Sequence, residues 1–130
     1  MCAARALAAD PAQDVWDLVT VMAASLGRSD AGEFLAACDS AKAAYEALRA
    51  NVVALVAQAD VDSGIDPVRN EGDAAAREVE VDWQLQLVER SALQRVTRRR
   101  TTVKLRLEKR GRKWKVVMLE PVAFFAPVSA

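Results

Sequence analysis

Between Arg77 and Phe125 apolar and charged side chains alternate with a period of two, in three successive runs. That period places alternate side chains on opposite faces of a β-strand, so the runs must lie in a sheet with one dry and one wet face. The first run sets Val79, Val81, Trp83, Leu85 and Leu87 against Glu78, Glu80, Asp82, Gln84 and Gln86. The second sets Thr101, Val103, Leu105 and Leu107 against Thr102, Lys104, Arg106 and Glu108. A third, Trp114, Val116 and Met118, follows Lys109-Arg110-Gly111-Arg112, where Gly111 supplies the positive φ of a tight hairpin turn. Antiparallel pairing with Trp83 opposite Val103 matches both faces at once: Val81 meets Leu105, Val79 meets Leu107, Glu80 meets Arg106 and Asp82 meets Lys104. A slip of one residue would set charges against apolar side chains throughout. A two-residue turn at Arg110-Gly111 then sets Leu107 opposite Trp114, Leu105 opposite Val116 and Val103 opposite Met118. The expectation is an apolar band crossing three strands.

Before the sheet the period is helical. Asp10 is placed to cap a first helix with Pro11 at its first position, burying the stripe Val15, Leu18, Val19, Met22 and Leu26 until Gly27 ends it. Asp30 can cap a short second helix carrying Phe34, Leu35 and Cys38. A third, starting at Ala41 or Tyr45 and running to Gln58, turns Leu48, Val52, Leu55 and Val56 inward. Asp60 to Asp73, rich in Asp and Gly, reads as a short irregular strand through Val61, Ile65 and Val68, and Pro67 argues for a sheet edge. Pro121 interrupts the last strand, so the sheet bends there or the chain leaves it, with Phe124 and Phe125 capping the core or entering a dimer partner. Helices first and hairpins last define an α+β domain with helices packed on one face of a bent antiparallel sheet. The 130 residues, 52% of them apolar, suit one domain over 10–130, preceded by an Ala-rich tail over 1–9. Within that tail, Ala6-Leu7-Ala8 resembles a signal-peptidase site without the apolar segment that should precede it. Two readings stand: a bacterial-type soluble protein of the cytoplasm, or an exported, periplasmic one if the tail is a cleavage remnant.

Formal charge is zero but segregated: residues 1–90 carry 7 basic and 16 acidic side chains, and residues 91–115 carry 11 and 1. Cations alternating outward along two strands, beside an acidic neighbour, account for this more simply than a nucleic-acid surface, because no aromatic interleaves them for base stacking. Three consecutive Arg residues, Arg98, Arg99 and Arg100, must point to both faces of a strand, which aims Arg99 at the concave face or its rim. A bulge between Val96 and Val103 would turn it outward instead. Nothing approaches the ~20 apolar residues of a membrane-spanning helix. The chain has no histidine, which removes the usual general base, His–metal ligation and Ser-His or Cys-His activation. Cys2 and Cys38 lack metal-ligand spacing and suggest no disulfide framework, so neither metal nor cofactor is expected.

The order of these elements, from the capped helix at Asp10 to Lys113-Trp114-Lys115-Val116-Val117 after the hairpin, resembles the nuclear transport factor 2-like superfamily, also called SnoaL-like or ketosteroid-isomerase-like. The resemblance implies a curved sheet wrapped round helices into a cone, an apolar pocket at the wide end, and frequent homodimerisation through the sheet. It implies no single activity. Catalytic candidates are thin: Tyr45, with Asp60 or Asp62 as a carboxylate base raised by an apolar pocket. Solvated loop carboxylates and a tyrosine at the core edge fit the same residues more simply. Trp16, Tyr45, Trp83, Arg99, Trp114 and Met118 are the expected lining of a ligand pocket, with the tryptophans otherwise core. The sequence thus points away from an enzyme, toward a non-catalytic domain that binds a small apolar molecule or assembles as a homodimer. A lyase or isomerase using the pocket carboxylate, and an anion- or nucleic-acid-binding module using Arg98 to Arg100, are the alternatives.

Overall fold

In the computed structural model, which describes residues 10–42 and 44–128, helix α1 spans Pro11–Gly27. Asp10 caps it by accepting the Gln13 N–H at 3.3 Å, and Pro11, lacking an N–H, occupies the first helical position. Val15, Val19, Met22 and Leu26 are wholly buried along one stripe. Helix α2, Ala31–Ala36, is capped in the same way by Asp30, which accepts the Glu33 N–H at 2.9 Å. Helix α3 covers Tyr45–Gln58 and turns Leu48, Val52, Leu55 and Val56 inward, as their spacing predicts.

Four strands follow: β1 Ala59–Gly72, β2 Ala76–Glu89, β3 Val96–Arg110 and β4 Lys113–Glu120. They form an antiparallel meander in the order β1-β2-β3-β4. Where the sequence suggested a short irregular strand, β1 runs 14 residues and pairs with β2 along its length. Its Asp and Gly content concealed it because an edge strand answers to one neighbour only, and its outer face is wet. Pro67 does lie on that edge, beside a bulge that leaves Val68 unpaired.

The β2–β3 register differs from expectation by two residues. Val81, not Trp83, stands opposite Val103; Val79 meets Leu105, Arg77 meets Leu107, Glu80 meets Lys104 and Glu78 meets Arg106. A two-residue slip preserves both faces, so apolar and charge matching tolerate it equally. The stations beyond Val103 on the inner face, Thr101, Arg99 and Thr97, are polar and give hydrophobic matching nothing to decide with. The ladder runs from Ala76 to Val88 without a bulge, which keeps Arg99 opposite Leu85 on the inner face.

The β3–β4 hairpin also departs from expectation. Its two-residue turn is Gly111-Arg112, with Gly111 at φ +64°, and Lys109, not Leu107, faces Trp114. A bulge at Val117, where pairing jumps from Leu107–Val116 to Arg106–Met118, inverts the alternation. Trp114, Val116 and Leu119 are therefore buried, and Met118 turns to the outer face beside Arg106. Past a cis Glu120–Pro121 peptide the chain leaves the sheet in a 3₁₀ turn, Val122–Phe125. The end of α2 is stitched to β4: the Val116 N–H donates to the Ala37 carbonyl at 2.8 Å and the Asp39 N–H to the Val116 carbonyl at 2.9 Å.

Between helices and sheet lies one core. Trp83, Phe34, Phe125, Met22, Leu26 and Leu55 are its largest wholly buried side chains. Phe125 stands edge-on to Trp83 with centroids 5.0 Å apart, and Phe34 lies 5.4 Å from Phe125.

Candidate ligand site and sheet surface

The concave face of the sheet carries Val79, Val81, Trp83 and Leu85 from β2, answered by Val103, Leu105 and Leu107 from β3. Above it, Phe34, Phe125 and the stripes of α1 and α3 fill the cone. Beside Cys38, Tyr45, Leu48, Met118 and Val122 lies a gap of about 20 Å³, room for about one water and far below the several hundred Å³ of ligand pockets, while an open depression of about 650 Å³ on the surface borders Leu18, Val21, Ala37 and Trp114.

The expected pocket lining is dispersed accordingly. Trp83 is wholly buried in the core, its indole N–H donating to Ser63 Oγ at 2.9 Å. Trp114 is buried at the other end of the sheet, its Nε1 unpaired and the Lys109 ammonium 5.4 Å from its ring centroid. Trp16 and Tyr45 are half-buried at the rim of the core. Met118 faces away from the cone, a consequence of the Val117 bulge. Arg99 does reach the concave side, half-buried, with Nη1 donating to the carbonyls of Phe124 at 2.9 Å and Ala126 at 2.5 Å. Loss of hydration lowers its pKa.

Tyr45 and the two aspartates lie at opposite ends of α3, separated by its 14 residues, or about 20 Å of helix. Asp60 is exposed and accepts the Arg90 Nε–H at 2.9 Å. Arg90 also donates to the Val56 carbonyl at 2.8 Å and to Ser29 Oγ at 2.9 Å, so it closes the C-terminal end of α3. Asp62 is exposed on the outer face of the sheet. No acid–base pair with Tyr45 is assembled. Burial pushes the Cys38 thiol up to about 12, which leaves it protonated and unreactive at neutral pH. Among the described residues no cluster of three His, Cys, Asp or Glu is placed to hold a metal ion, and no helix is long and apolar enough to cross a membrane.

On its outer face the sheet is a lattice of charge. Arg69 on β1 reaches Glu71 and Glu80 at 2.8 Å and Glu78 at 3.5 Å. Arg106 on β3 lies 3.7 Å from Glu78 and 3.3 Å from Glu108. Arg100 grips both oxygens of Asp82, at 2.6 to 3.0 Å, and holds that carboxyl below its ordinary value. Arg98 donates to Gln86 Oε1 at 3.1 Å. Between these rows runs a shallow open groove of about 490 Å³, bordered by Asp62, Gly64, Gln84, Gln86, Arg98 and Arg100. Asn51 and Gln58 on α3 escaped the sequence reading, as did the polar inward Ser63. Asn51 donates to the Val122 carbonyl and Gln58 both donates to and accepts from the Val128 backbone. Partners some seventy residues away, and mostly backbone atoms, leave no trace in local pattern.

With this geometry the chain matches solved structures closely in shape and weakly in sequence. A nuclear transport factor 2-like superfamily protein from Salmonella enterica superposes with a TM-score of 0.65 over 91% of this chain and 92% of its own, at 11% identity. A ketosteroid isomerase-like protein from Erwinia carotovora gives 0.70 over 85% and 93%, at 11% identity. A Xanthomonas campestris protein named for the calcium/calmodulin-dependent protein kinase II association domain gives 0.68 over 86% and 89%, at 14% identity. No family model matches the chain, and no curated protein matches its sequence. The fold is the NTF2-like α+β cone, with three helices against an open four-stranded sheet.

Proposed function

We propose that this NTF2-like domain is non-catalytic and works by assembling with a second copy through the outer face of its sheet. The observation that carries the reading is the filled cone: the interior in which such a fold could do chemistry is occupied by its own side chains, Trp83, Phe34, Phe125, Met22, Leu26 and Leu55 among them. Tyr45 and its candidate carboxylates, Asp60 and Asp62, are held apart by α3. The outer face, in contrast, is broad and self-complementary. A two-fold axis parallel to the strands and midway between β2 and β3 lays Glu78 and Glu80 of one copy over Arg106 and Lys104 of the other. The likeness to a protein named for an association domain supports assembly as well. Anion binding by the arginine run is the weaker reading, since Asp82 neutralises Arg100 and backbone carbonyls occupy Arg99.

Sedimentation velocity in low salt checks this. Twice the monomer mass is expected, falling toward the monomer as salt rises and in Lys104→Glu/Arg106→Glu even at low salt. A monomer at ~100 µM in low salt, far above the concentrations at which standard-sized interfaces hold, would overturn it.

A further inference from the structure

Residues Pro121–Val128 cross the open side of the cone without joining a strand. Three side chains hold them, and they do so by the segment's backbone. Asn51 Nδ2 donates to the Val122 carbonyl at 3.2 Å. Gln58 clasps Val128 in both directions, donating from Nε2 to its carbonyl at 2.8 Å and accepting its N–H on Oε1 at 2.7 Å. Between these two fastenings Arg99 Nη1 takes the carbonyls of Phe124 and Ala126. The segment delivers two rings to the core, Phe124 at the rim and, deeper, Phe125, wholly buried against Trp83 and Phe34.

Arg99 stands apart from its neighbours by what it binds. Of the seven arginines on the four strands, Arg69, Arg100, Arg106 and Arg110 have found carboxylates, while Arg98 donates to the Gln86 side chain and Arg77 to Asn70. Arg99, half-buried on the inner face, makes no ion pair among the described residues and binds only neutral carbonyls, both through Nη1. A carboxylate is the stronger partner for a guanidinium and takes two parallel N–H donors at once. A cation of this kind beside an aromatic slot, with both positions filled by a short and polar-fastened piece of the chain, is the arrangement of a site occupied by its own lid.

We propose that residues 121–128 are a displaceable strap over a site for a flat aromatic carboxylic acid. Its ring takes the place of Phe125 against Trp83, and its carboxylate takes Arg99 from the carbonyls of Phe124 and Ala126, which turn to water. This rests on the non-catalytic reading of the cone but not on assembly through the sheet, and its test reads ligand binding rather than mass. Because only the strap-open fraction binds, apparent affinity is the intrinsic affinity scaled by that fraction. Asn51 and Gln58 fasten the strap at its two ends, away from the Phe125 position. Loosening them raises the open fraction without altering the site.

The experiment is calorimetric titration of the full chain with 2-naphthoate and, in parallel, with uncharged 2-naphthol. Asn51→Ala should tighten naphthoate about fivefold, the worth of roughly one hydrogen bond in strap closure, and Gln58→Ala, which removes two, more than that. Arg99→Gln should weaken naphthoate about tenfold or more while tightening naphthol, because it removes the carboxylate partner and unfastens the strap together. These opposite signs separate a binding role from a fastening one: if Arg99 only holds the strap, Arg99→Gln tightens both probes. Amide exchange at Phe124 to Val128 should quicken in wild type on adding naphthoate. The proposal is overturned if naphthoate binds neither wild type nor the two strap variants at ~10 mM. Equal affinity in wild type, Asn51→Ala and Gln58→Ala also overturns it, as does tightening by Arg99→Gln.

Discussion

Phe125 illustrates how much of the interior rests on single side chains. It sits just past the sheet, yet its ring is wholly enclosed, edge-on to both Trp83 and Phe124 and packed on Phe34. Phe125→Ala should cost about 3–5 kcal/mol, the usual range for a buried aromatic, read as a lowered urea midpoint with unchanged slope. Phe124→Ala, at the rim with 8% of its surface exposed, should cost less. The inward direction of Trp83 was legible from alternation alone, and so was that of Arg99, since three successive arginines cannot share a face. What each would touch was not. The partners of Trp83, Ser63 and Phe125, come from an edge strand and a terminal turn that alternation does not reach.

Among the elements, the three helices were readable nearly to the residue because their signals are local: Asp10 with Pro11, Asp30, and stripes of period 3.6. Strand register was not, because a slip of two satisfies every pairing rule that a slip of one breaks. The Val117 bulge was invisible for a related reason, as Val116-Val117-Met118-Leu119 is apolar whichever residue is the extra one. Turns carry a sharper constraint. Gly111 has φ +64° with open space around it, so Gly111→Ala meets only the left-handed penalty of about 1 kcal/mol. Gly72, at φ +143°, closes the β1–β2 turn, where a Cβ would run into the Ala76 carbonyl oxygen and approach Arg77 Cα to 2.6 Å. Gly72→Ala should therefore cost about 1–3 kcal/mol more than Gly111→Ala, a difference that paired thermal melts will measure.

For the whole molecule, the segregation of charge along the chain turns out to be lateral bonding within one sheet. Asp82 and Glu108 are held below their ordinary values by Arg100 and by Arg110 with Arg106, while Asp39 and Asp73 are held low chiefly by backbone N–H donors from Ala41 and from Ala75 with Ala76. Each carboxyl thus binds a proton less readily folded than unfolded, so each contributes stability above its ordinary value, 3.8 for Asp and 4.5 for Glu, and loses it as pH falls through the lowered one. The urea midpoint should hold from neutral pH to about 5 and drop progressively below about 4.5, and a flat profile down to pH 3 would contradict the pairing. The alternating composition announced that face in advance; which arginine would serve which acid needed the register.

The meander has a further meaning for how the chain finds its shape. Every strand lies beside its neighbour in sequence, so each hairpin closes a short loop and the sheet can zip in order at small entropic expense. The expensive closures tie the helices to the far end of the chain: Lys115 onto the Ala36 carbonyl across 79 residues beside the Val116 backbone bonds to Ala37 and Asp39, Arg110 onto Asp39 across 71, and Asn51 and Gln58 onto the segment after the sheet across 71 and 70. The segment that plugs the cone is thus fastened by residues distant in sequence, so the seal on the interior draws little support from its own neighbourhood.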